Sequence, residues 1–167
     1  MKGLKKFVSA ILCVCLVCGT VVAADKLNEN FATADFSSEK GTFLNMKASR
    51  AGGTGSLVTA RGGVVGWVLD PNQGTNAQQI YVNLDKSFAY EVNDGSLFKV
   101  TVKFYDEDKA YFGIRYDSES GTKLHNLLGY TYRKGIWSEY TFVLDDAYFA
   151  DRLTSPTGEA ADFCITS

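Results

Sequence analysis

The sequence has few of the side chains that most often build catalytic and metal sites. It contains one histidine and four cysteines in 167 residues. A Ser-His-Asp triad would have to use His125, and no nucleophile elbow accompanies this residue. Acid–base hydrolysis needs two carboxylates across a cleft, but the acidic residues at 106–108 and 145–146 fall at predicted turns, where solvated acids are common. We therefore expect a protein that is not an enzyme.

Residues 1–24 have the features of an export signal. The segment begins with lysines, continues through an almost wholly apolar stretch at 7–18, and ends on small residues that suit cleavage near Ala23 or Ala24. The apolar run is shorter than the roughly 20 residues of a membrane span, and an uncleaved N-terminal anchor is the alternative. We expect a secreted or extracellular protein in which residues 25–167 form a single domain.

Removal of residues 1–24 changes the chemistry of the chain. Three of the four cysteines leave with the signal, so Cys164 remains alone and an internal disulfide or thiolate zinc site is excluded. Three of the 17 basic residues and none of the 19 acidic residues are lost, which gives the mature domain a net charge of −5 with histidine neutral. An acidic surface disfavours nucleic acid and, after cleavage, an anionic membrane surface as partners.

Apolar and polar residues alternate along much of the mature chain, and no segment shows a long helical stripe. This alternation predicts strands at 80–84, 98–104, 110–116, 122–133 and 136–144, with further candidates at 30–33, 42–48 and 161–165. The sequence Asn93-Asp94-Gly95 predicts a hairpin turn. Several strands separated by short turns are typical of a β-sandwich or barrel. The residues expected in the core are Phe98, Val100, Val102, Phe104, Phe112, Ile114, Tyr140, Phe142 and Leu144.

Several blocks of sequence follow one another in an order that resembles a known family. The blocks are residues 80–85, 100–106, 114–118 and 137–142, then Leu144-Asp145-Asp146-Ala147-Tyr148-Phe149-Ala150-Asp151-Arg152, and finally Ala161-Asp162-Phe163. Together they resemble the galactose-binding-like jelly-roll modules that accompany secreted bacterial enzymes acting on polysaccharides. The resemblance covers residues 66–165 and implies an all-β, antiparallel jelly-roll sandwich with a non-catalytic, carbohydrate-binding-module-like function. Such domains usually continue through another strand, so the resemblance implies that this fold closes differently or lacks a C-terminal strand.

Aromatic residues out of phase with the core faces are the candidates for binding a polysaccharide or other glycan. A sugar ring stacks on an aromatic face, while amides and charged groups bind its hydroxyls. The predicted ligand-binding residues are Trp67, Tyr81, Asn83, Tyr111, Arg115, Tyr130, Tyr132 and Trp137. The alternative is that these residues pack against loops, in which case a structural or protein-interaction domain of the cell envelope is the expected function.

The C-terminal residues and the acidic turns support two further expectations. No cofactor is indicated, although a structural calcium ion held by Asp145, Asp146 or Asp162 with Glu29 is an alternative to ordinary turn roles. Residues 161–165 are predicted to form an edge strand with Cys164 partly exposed. Because an exposed edge invites pairing with another chain, we expect marginal stability or self-association through this C-terminal edge.

Overall fold

The computed structural model describes residues 6–11, 31–50, 58–67, 79–106, 112–126 and 136–166. All regular structure in these residues is β-strand. The strands are β1 (Lys6–Ile11), β2 (Phe31–Asp35), β3 (Thr42–Leu44), β4 (Met46–Arg50), β5 (Val58–Arg61), β6 (Val64–Trp67), β7 (Gln79–Leu84), β8 (Phe98–Asp106), β9 (Gly113–Ser118), β10 (Gly121–Asn126), β11 (Ile136–Leu144), β12 (Leu153–Thr154), β13 (Ala160–Ala161) and β14 (Phe163–Thr166).

Ten of the strands form two five-stranded sheets, which are the layers of a β-sandwich. Sheet I has the order β11-β8-β1-β2-β3, and sheet II has the order β10-β9-β14-β7-β4. The remaining strands form two small antiparallel hairpins, β5–β6 and β12–β13. The predicted all-β antiparallel sandwich is confirmed.

The core lies between the two sheets, and alternation along the strands explains its composition. Phe98, Val100 and Val102 of β8 and Phe142 and Leu144 of β11 are fully buried or nearly so. They belong to the same apolar cluster as residues of β7, β9 and β14 from the opposite sheet. The predicted inner face is confirmed at Phe98, Val100, Val102, Phe112, Ile114, Phe142 and Leu144, whereas Phe104 and Tyr140 are only partly buried and pack against the cluster.

The predicted strand at 42–48 is split by Asn45 into strands of different sheets. Asn45 has a φ of 55°, a left-handed conformation that asparagine tolerates better than most residues. Its side-chain Nδ2 donates a hydrogen bond to the carbonyl of Phe31 at 2.7 Å. The chain therefore turns a corner at this residue, with β3 at the edge of sheet I and β4 at the edge of sheet II.

The predicted hairpin at residues 93–95 is wrong, although its turn chemistry is present. Gly95 has a φ of 71°, and Asp94 Oδ1 accepts a hydrogen bond from the Ser96 amide at 3.0 Å. However, β7 lies in sheet II and β8 in sheet I. The turn therefore lies within a connection that crosses the sandwich.

The prediction of an exposed C-terminal edge is also wrong. β14 pairs antiparallel with both β7 and β9, so it occupies the centre of sheet II. The side chain of Cys164 has no solvent exposure, in contrast to the expectation that it would be partly exposed. β14 therefore offers no free edge for self-association, and its thiol is not placed for an intermolecular disulfide.

β1 differs from every other strand described in the direction of its pairing. It is parallel to β2 on one side and to β8 on the other, whereas the other eight described pairs are antiparallel. The strand lies within the segment 1–24 that the sequence predicts to be an export signal. Cleavage remains a prediction, and it would remove a central strand of sheet I.

Candidate functional site

Three of the sequence-predicted ligand residues lie on sheet II, with Tyr81 and Asn83 on β7 and Arg115 on β9. Strand register places Cys164 of β14 between Tyr81 of β7 and Arg115 of β9. Arg115 Nη2 donates a hydrogen bond to Tyr81 Oη at 3.0 Å, and the Tyr81 hydroxyl donates to Gln79 Oε1. The side chains of Tyr81, Arg115 and Cys164 point away from the main core. Their neighbours in the strands point into it, namely Ile80, Val82, Ile114 and Ile165.

The hairpin β12–β13 covers part of this outward face. Leu153 and Ala161 of the hairpin form a small apolar cluster with Tyr81 and Cys164, and all four side chains are buried. Burial raises the pKa of the Cys164 thiol, although the nearby Arg115 partly opposes this effect. Tyr81 is only 4% exposed, so its ring cannot serve as an open stacking platform as the sequence predicted.

A groove of about 610 Å³ lies beside the edge strand β4 and the β12–β13 hairpin. Its lining combines two aromatic residues with amide, hydroxyl and charged groups from several elements. The residues are Phe43, Lys47, Ala48, Ser49, Tyr81, Asn83, Asp151, Glu159 and Ala160. A volume of this size is within the range of small-molecule sites.

Asn83 and Asp151 form the polar centre of the groove. Asn83 Nδ2 donates a hydrogen bond to Asp151 Oδ1, and Lys86 Nζ lies 3.0 Å from the other carboxylate oxygen of Asp151. The hydrogen bond and charge of Asp151 raise the pKa of the exposed Lys86 ammonium. The Asn83 carbonyl oxygen and the Asp151 carboxylate can therefore accept hydrogen bonds from hydroxyl groups in the groove. The Lys86 ammonium can donate hydrogen bonds to them.

Two buried carboxylates hold the loop that carries Asp151. Asp162 accepts hydrogen bonds from the amides of Leu84 at 2.8 Å and Asp151 at 3.1 Å. Asp117 accepts from the amide of Ala150 at 2.7 Å and forms an ion pair with Arg152 at 2.6 Å. These contacts stabilise the left-handed φ of 60° at Asp151, and so position its side chain against Asn83.

The environment of Asp162 disfavours its charged form. The residue is 1% exposed, and desolvation raises its pKa to about 6 despite the two backbone hydrogen bonds that favour the carboxylate. The charges of Asp151 and Asp117 also raise this pKa. Asp162 therefore acts as a structural acid that anchors β7 and the Asp151 loop.

Trp67 is buried by other aromatic rings, which differs from the exposed position that the sequence predicts for it. It is 7% exposed, and its ring centroid lies 4.4 Å from that of Phe36. Its indole Nε1 donates to the carbonyl of Ser38 at 2.8 Å. The sequence of β6 does not predict the burial of Trp67, because the ring packs on residues about 30 positions earlier in the chain.

Trp137 lies on the other sheet, away from the residues that line the groove. Its ring meets that of Tyr105 edge to face with centroids 5.5 Å apart, and its Nε1 donates to the Arg61 carbonyl at 2.9 Å. The turn of the β5–β6 hairpin lies against both rings, since a Cβ on Gly62 would fall 3.3 Å from Tyr105 and 3.4 Å from Trp137. Trp137 is partly exposed and forms a second, smaller aromatic surface.

The remaining predicted ligand-binding residues, Tyr111, Tyr130 and Tyr132, lie outside the described residues. His125 is half-buried, and its ring packs edge to face on Phe142 with centroids 5.4 Å apart. The sequence missed Asp151 and Glu159 as groove residues, because both approach the groove only through the fold.

Asp146 and Asp162, two of the residues considered as calcium ligands, have other partners. Asp146 accepts a hydrogen bond from the Tyr116 hydroxyl at 2.7 Å and forms an ion pair with Lys123. Glu29 lies outside the described residues. No group of three or more His, Cys, Asp or Glu side chains is arranged to hold a metal ion in the described ranges.

The described strands and loops contain no helix that is long and apolar enough to cross a membrane. Comparisons of the whole chain with protein-family models, curated proteins and solved structures found no match.

Proposed function

We propose that this protein is a secreted, non-catalytic module that binds a carbohydrate in the groove around Asn83 and Asp151. The observation that carries the proposal is the composition of the groove, in which an aromatic wall at Phe43 faces amide, hydroxyl and charged groups. Sugar binding needs an apolar surface for the C–H face and polar groups for the hydroxyls. The groove supplies both within one concavity.

Support for this location over the aromatic surface at Trp137 comes from the polar groups. Lys47, Ser49, Asn83 and Glu159 all line the groove, and Asp151 is fixed by hydrogen bonds to Asn83 and through its amide to Asp162. A preorganised site loses less conformational entropy when its ligand binds. At Trp137, by contrast, the indole donor is already bound to the Arg61 carbonyl.

A charge-matched pair of variants tests the location. Glu159 lines the groove, and Glu139 is an exposed residue on β11 of sheet I. We expect a glycan array on the exported protein to identify a binding sugar, and calorimetry with that sugar to show weaker binding by Glu159→Ala but not by Glu139→Ala. Loss of one hydrogen bond costs about 0.5–1.5 kcal/mol, which is about a two- to tenfold increase in Kd.

A Trp137→Ala variant separates the two candidate surfaces. Unchanged affinity in this variant is expected if the sugar lies in the groove. If Trp137→Ala abolishes binding while Glu159→Ala retains it, the sugar lies on the Tyr105–Trp137 surface and the proposed location is wrong. Absence of any binding sugar on a broad array of neutral glycans would contradict the proposed function.

A further inference from the structure

One buried carboxylate lies directly behind the polar centre of the groove. Asp162 Oδ2 accepts a hydrogen bond from the amide of Leu84, the residue after Asn83 in β7, at 2.8 Å. Asp162 Oδ1 accepts from the amide of Asp151 at 3.1 Å. Asn83 and Asp151 both line the groove and are joined by a side-chain hydrogen bond. Asp162 therefore fixes the backbones on which both of these groove side chains are carried.

The backbone of Asp151 needs this support because its conformation is unfavourable. Its φ of 60° is left-handed, and a residue other than glycine keeps such a conformation only where surrounding contacts hold it. Asp117 Oδ2 holds the preceding residue by accepting from the amide of Ala150 at 2.7 Å. The contact at the left-handed residue itself is the hydrogen bond to Asp162.

A proton on Asp162 would weaken this contact. Both oxygens of a charged carboxylate accept hydrogen bonds, whereas a carboxylic acid carries one O–H donor and lacks the charge that strengthens the acceptors. Of the two amides bound to Asp162, that of Leu84 is buried and closer, and that of Asp151 is partly buried and farther away. The hydrogen bond to Asp151 is therefore the one that protonation weakens most.

The charged groups around Asp162 allow it to take up a proton in mildly acidic solution. Asp151 and Asp117 both oppose its ionisation. Lys86, whose charge also interacts with Asp162, pairs with Asp151 at 3.0 Å, and Arg152 pairs with Asp117 at 2.6 Å. Desolvation and the two acids raise the pKa of Asp162 to about 6. Ordinary carboxyl groups, with pKa values near 4, remain charged at that pH.

We propose that Asp162 is a positioning residue for the groove and makes ligand binding there depend on pH. The charged carboxylate keeps the Asp151 side chain beside Asn83, and the groove then binds its ligand. When Asp162 takes a proton, the backbone of Asp151 relaxes from its left-handed conformation and binding weakens. Protonation removes a desolvated charge from the fold, so the fold stays intact while the groove loosens. This inference rests on the proposed function and describes the regulation of the same site.

Hydrogen exchange followed by NMR tests the positioning step without any sugar. We expect the protection of the Asp151 amide, corrected for the intrinsic exchange rate, to fall about three- to tenfold from pH 7.5 to pH 5, as expected when a charge-assisted hydrogen bond becomes a neutral one. The Tyr148 amide is the control in the same loop. It donates to the backbone carbonyl of Asp117 at 2.9 Å, which does not titrate, so its protection should stay constant.

Calorimetry with the sugar found on the glycan array tests the coupling to binding. About a tenth of Asp162 remains charged one pH unit below its pKa, so the Kd of the wild type should rise by up to about tenfold from pH 7.5 to pH 5. In Asp162→Asn one of the two amides has no acceptor at any pH, so its Kd should be raised at both values and should not vary between them. Asp146→Asn is the matched control, because the partners of Asp146 are Tyr116 and Lys123, which do not line the groove. Its Kd should vary with pH as the wild-type Kd does.

Three outcomes would overturn the proposal. They are equal protection of the Asp151 amide at pH 7.5 and pH 5, a wild-type Kd that does not change between these values, and a pH dependence that persists in Asp162→Asn. The first two use the wild type alone, so they apply even if the variant does not fold. Absence of a binding sugar at pH 7.5 contradicts the proposed function alone, because hydrogen exchange still decides whether Asp162 holds Asp151.

Discussion

Replacement of Asp162 by asparagine should change how the stability of the fold depends on pH. The folded protein raises the pKa of this carboxyl from the ordinary 3.8 to about 6, chiefly through desolvation. Each pKa unit corresponds to about 1.36 kcal/mol, so ionisation of Asp162 costs the folded state about 3 kcal/mol. The folded state binds more protons than the unfolded state between these two pKa values. The contribution of Asp162 is therefore most favourable below pH 3.8 and is lost as pH rises to about 6.

Asparagine removes this titration but also one of the two acceptors. Asp162 Oδ2 accepts from Leu84 and Oδ1 from Asp151, and asparagine can accept at only one of these positions. An unsatisfied buried amide costs about 1–3 kcal/mol. We therefore expect Asp162→Asn to be destabilising by about that amount at pH 3.5, and to be close to wild type at pH 7, where relief from the buried charge offsets the lost hydrogen bond.

Urea unfolding of wild type and Asp162→Asn from pH 3.5 to 7.5 measures this effect. The contributions of other titrating groups cancel when the two free energies of unfolding are subtracted at each pH. Asp146 shows why the cancellation is needed, since its hydrogen bonds with Lys123 and Tyr116 lower its pKa in opposition to desolvation. Its contribution is lost as pH falls, which is the opposite direction. A difference in unfolding free energy that is constant across the range would refute the argument for Asp162.

Two further predictions concern the core and the thiol. Phe142→Ala should lower the free energy of unfolding by about 3–5 kcal/mol because the ring is fully buried, whereas Val143→Ala, at a side chain that is 44% exposed, should cost less than about 1 kcal/mol. Chemical denaturation checks both, and equal losses would show that the inner face of β11 is misassigned. Cys164 should react with a thiol reagent only after the protein unfolds. Reductant should not alter the elution volume of the protein in size-exclusion chromatography. Rapid labelling of the native protein would contradict the central position of β14.

Alternation of apolar and polar residues was sufficient to predict most long strands and their inner faces. It correctly identified the buried phases of β8 and β11, because these strands have one face on the core and one face outward. It could not assign strands to sheets. The turn at residues 93–95 has the chemistry of a hairpin, yet β7 and β8 belong to different sheets, since partner choice depends on contacts distant in sequence.

The candidate site was only partly predictable for the same reason. Tyr81, Asn83 and Arg115 were identified from their outward phase. The structure places Tyr81 and Asn83 at the groove and Arg115 on β9, across β14 from Tyr81. Asp151 reaches Asn83 from 68 positions away, through a left-handed residue whose conformation depends on contacts with Asp162. Trp67 was predicted to be exposed because it follows no clear strand alternation. In the fold its ring packs on Phe36 and Phe43, which are distant in sequence.

The central position of β14 sets the order in which the molecule can be completed during synthesis. Residues 163–166 supply the strand between β7 and β9. β7 also pairs with β4, and β9 with β10, so one edge of each strand stays unpaired until a segment 45 or more positions later is made. A ribosome adds about 5–20 residues per second, and during that interval sheet II exists only as separate pieces. Sheet II therefore closes only when residues 163–166 join its two parts, β10–β9 and β7–β4.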